Sequence, residues 1–547
     1  MNHKKKIEII YLKAIDDQKQ LACAILHLQC RNNNRLTFFA KNTMTKAEHS
    51  LKQVSKPTWD HTCNTAGNSP AIILFLCIIS TAVIFTTQKM CLKTIKDKVL
   101  ENENIPPLLK WILINGLLCA VCLTHIYTIP MFANITNKST FLNITLHNSF
   151  ETEFDIKCEL EEPFCGLIWV KLVFFCGFAA SQFSMGFLAD RFGPYNLLGP
   201  LVKLLIFSGI AATLANTIYF FCFMWFWVAF ASTAIYLLTI TQVLEKLDEH
   251  IEDWKWRLII GCAFQNSWTV GRILSNFTVF VFNDWITVMT FLTTAIILVL
   301  FIFEKQIFNE QFTQREAFED SLEEFRHSGN VTYLNIILLS LTWFALGYNY
   351  YGNMNSWRHL DVRKKDIEHT ILMTILALLA KLLALSICFA VRRKCFPMAI
   401  LQIVMALCYM IMVSMNPQSI DKLEYNSLSS PINGLVCLAH LTSLWGTASF
   451  ELIWVITPET FPKKYRITCN GICSGVARLG AITGLIIGEM KILNESPVVL
   501  TLAGALIMIS AFLIKVIPDM TKHKMPNTIQ DVLLVQFPHR FNEPNSA

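Results

Sequence analysis

Thr468-Cys-Asn-Gly-Ile-Cys-Ser-Gly-Val-Ala-Arg-Leu-Gly-Ala-Ile-Thr-Gly-Leu-Ile-Ile-Gly488 is an apolar run with one charge, Arg478, half-way along it. The run is long enough for a helix to cross a bilayer. A charge at that depth costs about 2.5–3.5 kcal/mol on insertion scales, so a chain keeps it only where it faces a partner or a watery cavity. Outward from this stretch the same pattern repeats. Apolar runs of about twenty residues lie at 108–130, 167–189, 197–215, 218–242, 258–281, 285–303, 334–353, 369–391, 396–414, 433–457, 468–489 and 498–517. They predict an all-α polytopic membrane protein with twelve transmembrane helices.

Composition points the same way. Of 547 residues, 53% are hydrophobic and only 16% charged, with 40 Phe, and the mean hydropathy is +0.44. A soluble fold cannot hide that much apolar side chain. The net charge of +6 is gathered in short loops, which fits membrane topology and not nucleic-acid binding. The start of the chain is basic but has no sustained apolar core, so no signal peptide is expected. Cys119 and Cys122 form a C-x-x-C inside a span, where small soft residues pack; no metal and no cofactor are expected. Cys158 and Cys165 flank a segment that reads as extracellular, and they either close a disulfide or stay free.

The spans divide six and six. Residues 1–93 form an N-terminal extension holding one further apolar run, 70–87, which is either a thirteenth span or an interfacial anchor. Residues 94–303 carry the first six helices, with a loop at 131–166. A charged central loop, 304–333, precedes the second six helices at 334–517 and a tail at 518–547. The sequons at Asn134, Asn137 and Asn143 predict that the 131–166 loop is luminal and glycosylated. Alternation then puts Arg191, Arg392-Arg393-Lys394, Lys463-Lys464, Arg466 and the Lys522/Lys524 tail on the cytoplasmic side, as the positive-inside rule requires. Only the loop with Arg358, Arg363, Lys364 and Lys365 runs against it.

Two six-helix halves joined by such a loop resemble the major facilitator superfamily. Gly186-Phe-Leu-Ala-Asp-Arg-Phe-Gly193 is similar to its G-x-L-A-D-R-x-G signature, in which Asp190 and Arg191 lock helix ends while Gly186 and Gly193 allow a tight turn. Further segments resemble the organic ion transporters of solute carrier family 22. These are Glu151-Thr-Glu-Phe-Asp-Ile-Lys-Cys158, Trp343-Phe-Ala-Leu-Gly-Tyr-Asn-Tyr-Tyr-Gly352, Thr457-Pro-Glu-Thr-Phe-Pro462 with Arg466, Ser474-Gly-Val-Ala-Arg-Leu-Gly480 and Met525-Pro-Asn-Thr-Ile-Gln-Asp531. They fall in that family's order. The family's P-E-S-P-R-W-L after the sixth helix is absent, and Ala390-Val-Arg-Arg-Lys394 lacks the Asp and Gly of the repeated loop motif, so the chain reads as a divergent member.

The resemblance implies one substrate site near the midplane, reached alternately from each side. Cation carriers of the family tend to have Asp where this chain has Arg478; anion carriers and the carnitine group have Arg. Lys381 matches a Lys of the organic anion branch. The implied substrate is therefore a small organic anion, held by Arg478 and Lys381 against Tyr350 and Tyr351. Glu459, Arg466, Asp190 and Arg191 are implied as gating or structural groups. Glu451, in the tenth helix, offers a structural alternative as the partner of Arg478. Arg272 is equally a pathway-lining and a paired residue, and His125 and His440 read as helix-contact residues. Carriage of a cation or a carnitine-like zwitterion, or a non-transporting receptor on the same fold, are the alternatives. An enzyme is not expected, because no nucleophile, base and acid share a face. The chain is expected to be a monomer in the lipid bilayer of the plasma membrane.

Overall fold

The computed structural model describes residues 105–134, 154, 166–251, 254–282, 284–308, 329–352, 366–414, 431–489 and 497–537. The apolar run 70–87, Asn137, Asn143, Cys158, Cys165 and the basic loop around Arg363 lie outside the described residues. The chain divides into two units, Met1–Phe75 and Leu76–Ala547, and every described residue lies in the second.

The first half holds α1 (Ile105–Asn134), α2 (Gly166–Phe192), α3 (Pro194–Thr213), α4 (Ile218–His250), α5 (Trp254–Phe264), α6 (Asn266–Val281) and α7 (Trp285–Phe308). The second holds α8 (Gly329–Gly347), α9 (Asp366–Val391), α10 (Cys395–Ser414), α11 (Pro431–Thr460), α12 (Arg466–Glu489) and α13 (Pro497–Leu513), and a short tail helix, α14 (Ile529–Gln536), follows. Eight helices among the described residues are long and apolar enough to cross a membrane. The remaining four of the twelve expected spans are α9, α11, α13, and α5 with α6, which are one span broken at Gln265. Helix α1 runs to Asn134, four residues past the expected 130, so the first sequon begins on the helix end.

Local chemistry explains several ends. Gly193 sits at φ 84°, a backbone that L side chains rarely adopt, and Pro194 then opens α3 with its φ already set. Thr217 caps α4 by accepting from the Phe220 amide. Thr528 and Asp531 close a capping box on α14. Helix α8 ends in a π-turn, Tyr348–Gly352, a geometry that often marks function.

Helix α12 is the seam of the molecule, packed between α2 of the first half and α8 of its own. Lipid gives no hydrophobic drive between helices, so such seams depend on small residues that let backbones approach. A Cβ on Gly186 would come 2.8 Å from the Ile467 carbonyl, and one on Gly347 would collide with the carbonyl of Ala477. Phe301, Tyr219 and Leu214 stand exposed on the outer surface, where lipid would cover them.

Candidate functional site

A cavity of about 50 Å³ lies where the halves meet, between α5/α6, the π-turn, α9, α11 and α12. Its walls carry Arg272, Tyr350, Tyr351, Lys381, Glu451 and Arg478 among other residues. That is three cations against one carboxylate. At about 10–15 Å³ per water, the cavity has room for a few waters.

Arg478 is fully buried. Its guanidinium lies 3.8 Å from the centre of the Phe178 ring and 5.3 Å from that of Tyr351. Nη1 donates to the Tyr351 hydroxyl at 2.8 Å, while Nε has no partner among the described residues. No carboxylate pairs with it among those residues. Desolvated cation–π contact contributes about 2 kcal/mol, comparable to the insertion cost, and leaves most of the donor fork unspent. The aromatic box continues outward, since Tyr350 and Tyr351 pack edge-on at 4.9 Å and Tyr350 leans on Phe450 at 5.3 Å. The two consecutive tyrosines of the π-turn both line the cavity.

Lys381 is placed differently. Its ammonium lies 3.3 Å from Glu451 Oε1 and donates to the Gln265 carbonyl at 3.1 Å, Asn266 Oδ1 at 3.0 Å and Thr269 Oγ1 at 3.1 Å. The break at Gln265 makes this possible: it ends α5, and a cation at a helix C-terminus is favoured by the dipole. Gln265 also donates its side-chain amide to the Glu451 carbonyl at 2.8 Å. Lys381 is buried, so its charge does not snorkel to the surface. Glu451 thus pairs with Lys381, not with Arg478, and its Oε2 has no partner among the described residues. Arg272, from α6, donates to the Tyr350 hydroxyl at 3.2 Å.

A second charged cluster sits at the end of the bundle that holds Arg191. Arg257 pairs with Asp248 and, at 3.2 Å, with Glu459; Lys394 pairs with the other oxygen of Glu459; Arg466 pairs with Glu245 at 3.0 Å. All three cations are buried. Asp190 accepts from the Thr468 amide at 2.7 Å, a carboxylate at the N-terminus of α12. Arg191 is exposed, with its guanidinium 5.3 Å from the Phe192 ring. The tail is tied in: Arg257 donates to the His523 carbonyl at 2.7 Å and Arg466 to that of Pro526 at 2.8 Å. These contacts join the two halves at this end. Elsewhere, His125 shares a hydrogen bond with Thr293 at 3.1 Å, and Cys119 and Cys122 are free and buried.

Sequence reasoning did not single out Gln265, Asn266, Thr269, Phe178, Arg257 or Glu245. A signal existed for the first two, because Gln265-Asn266 interrupts the apolar run 258–281.

No family model matches the chain. It is 22% identical over 424 residues to solute carrier family 22 member 6-A of Xenopus laevis, covering 68% of this chain and 71% of that one. It is 28% identical over 197 residues to solute carrier family 22 member 6 of Bos taurus, covering 36% of this chain and 33% of that one. A third relative, an organic cation transporter protein of Drosophila melanogaster, is 32% identical over 99 residues, 18% of each chain. Among solved structures, a major facilitator superfamily proton:xylose symporter bound to 6-bromo-6-deoxy-D-glucose aligns with TM-score 0.56 at 14% identity, over 78% of this chain and 99% of that one. A bacterial homologue of the iron transporter ferroportin, outward-facing, aligns with TM-score 0.54 at 9% identity, over 75% and 98%. The protein is a multi-pass membrane transporter with the major facilitator fold. Within that class its sequence is similar to members of solute carrier family 22.

Proposed function

We propose that this chain carries small organic anions across the plasma membrane by alternating access, as an exchanger or a facilitated carrier, with Arg478 as the anchor for the anion. One observation carries the proposal: Arg478 is fully buried beside a cavity whose cations outnumber its carboxylates, and it has no carboxylate of its own among the described residues. A carboxylate or sulfate supplies what that guanidinium lacks, a bidentate acceptor in a low-dielectric site. Arg272 and Lys381 add positive field, and Tyr350, Tyr351 and Phe450 offer rings to an amphipathic body. The paired charges at the Arg191 end support a cycle in which they part as that end opens and re-form as it closes.

The test is uptake of labelled benzoate into liposomes holding the purified full chain, alongside Arg478→Ala. Uptake that falls at least tenfold in the variant, at equal protein incorporation, supports an anion carrier. Equal uptake removes Arg478 from the site, and no wild-type uptake leaves the carrier proposal without support and favours a non-transporting receptor. The alternative of a cation or zwitterion carrier draws on Glu451 and on the relative named an organic cation transporter; it gains if a carnitine-like ligand competes better than benzoate.

A further inference from the structure

Glu451 is a buried carboxylate with one oxygen spent and one unspent. Oε1 faces the Lys381 ammonium at 3.3 Å, whereas Oε2 is buried with no hydrogen-bond partner among the described residues. Glu451 lines the same cavity as Arg478, whose Nε is likewise buried without a partner. One wall therefore lacks an acceptor and another lacks a donor. Leaving either unmade carries the full desolvation penalty of a charged group.

We infer that Glu451 sets the substrate class of this cavity: organic anions that also bear an N–H or O–H donor set apart from the acid group. The inference rests on the anion-carrier proposal for the same site. Arg478, fully buried and without a carboxylate of its own among the described residues, favours a negatively charged ligand. An ionised carboxylate only accepts, so Oε2 is answered by a donor and repelled by a second acceptor. An anion lacking such a donor satisfies Arg478 and still strips Oε2 of water with nothing in return. A site with a buried group aimed at a substrate hydrogen bond rejects the analogue that cannot make it. Lys381 does not cancel this demand, because it stands on Oε1 and spreads its donors over Gln265, Asn266 and Thr269.

The test is competition against labelled-benzoate uptake by two isomers of equal atom count, 3-(hydroxymethyl)benzoate, which donates, and 3-methoxybenzoate, which only accepts. In the wild type the hydroxymethyl isomer is expected to compete about tenfold better or more, the scale of one hydrogen bond to a charged group. In Glu451→Gln the side-chain amide presents N–H in place of the lone pair, and the ratio is expected to fall to near one. Equal competition by the two isomers in the wild type overturns the inference, whether or not the variant folds, and so does a ratio that survives Glu451→Gln. Benzoate uptake that depends on Arg478, together with equal competition, sinks the role of Glu451 alone; absence of benzoate uptake in the wild type sinks the anion carrier and this inference with it.

Discussion

Two groups of buried and half-buried charges among the described residues differ in their accounts. At the Arg191 end, Arg257, Lys394 and Arg466 meet Asp248, Glu459 and Glu245, three cations on three carboxylates. At the cavity, Glu451 pairs with Lys381, while Arg478 has no carboxylate partner among the described residues. Both sets are expensive to desolvate. The balanced set is complete within the protein and holds the halves together. On the anion-carrier proposal, Arg478 is completed by the ligand. The difference separates a charge kept for structure from a charge kept for binding, even though both are buried arginines joining the same two halves.

That contrast can be broken in order of size. Glu459→Gln is expected to be the most damaging change, because it strands Lys394 and takes one of two carboxylates from Arg257; removing one partner of a buried pair costs about 3–5 kcal/mol. The purified variant should melt well below wild type, and an unchanged melting curve would show that the balanced set is not structural. Arg478→Lys comes next and acts on ligand, not on folding. The ammonium keeps the charge but loses the planar fork and its stack on Phe178, so benzoate uptake should fall by roughly tenfold to a hundredfold at near-wild-type melting. Asp190→Ala removes the acceptor of the Thr468 amide at the start of α12, a loss of about 1 kcal/mol on the scale of helix caps, read as a modest drop in melting temperature. Tyr351→Phe should be the mildest. It deletes the hydrogen bond from Arg478 to the Tyr351 hydroxyl, worth about 0.5–1.5 kcal/mol, and frees that donor for ligand, so benzoate affinity should change only severalfold.

Much of this was legible in the sequence. A charge in an apolar run is costly wherever it stands, so Arg478 and Lys381 declared themselves without a structure, and the twelve spans followed from run length. The pairing was not legible. Whether Glu451 meets Arg478 or Lys381 depends on how α9, α11 and α12 are rotated against one another, which no local pattern encodes. The acceptors around Lys381 exist because the fifth span breaks at Gln265, and a polar Gln-Asn pair was its only trace. Lys394 illustrates a detail the sequence did not carry. It read as one of three loop cations held by the positive-inside rule, yet it is buried on Glu459, 65 residues away, while Arg392 and Arg393 stay exposed.

The most direct measurement is equilibrium binding of radiolabelled benzoate to the purified full chain and to Arg478→Gln, with a melting curve recorded on each. Saturable binding to the wild type, lost in a variant that melts close to it, is the result expected of a charge kept for binding. Undiminished binding in the variant, or a collapse in its stability like that of Glu459→Gln, would contradict the account.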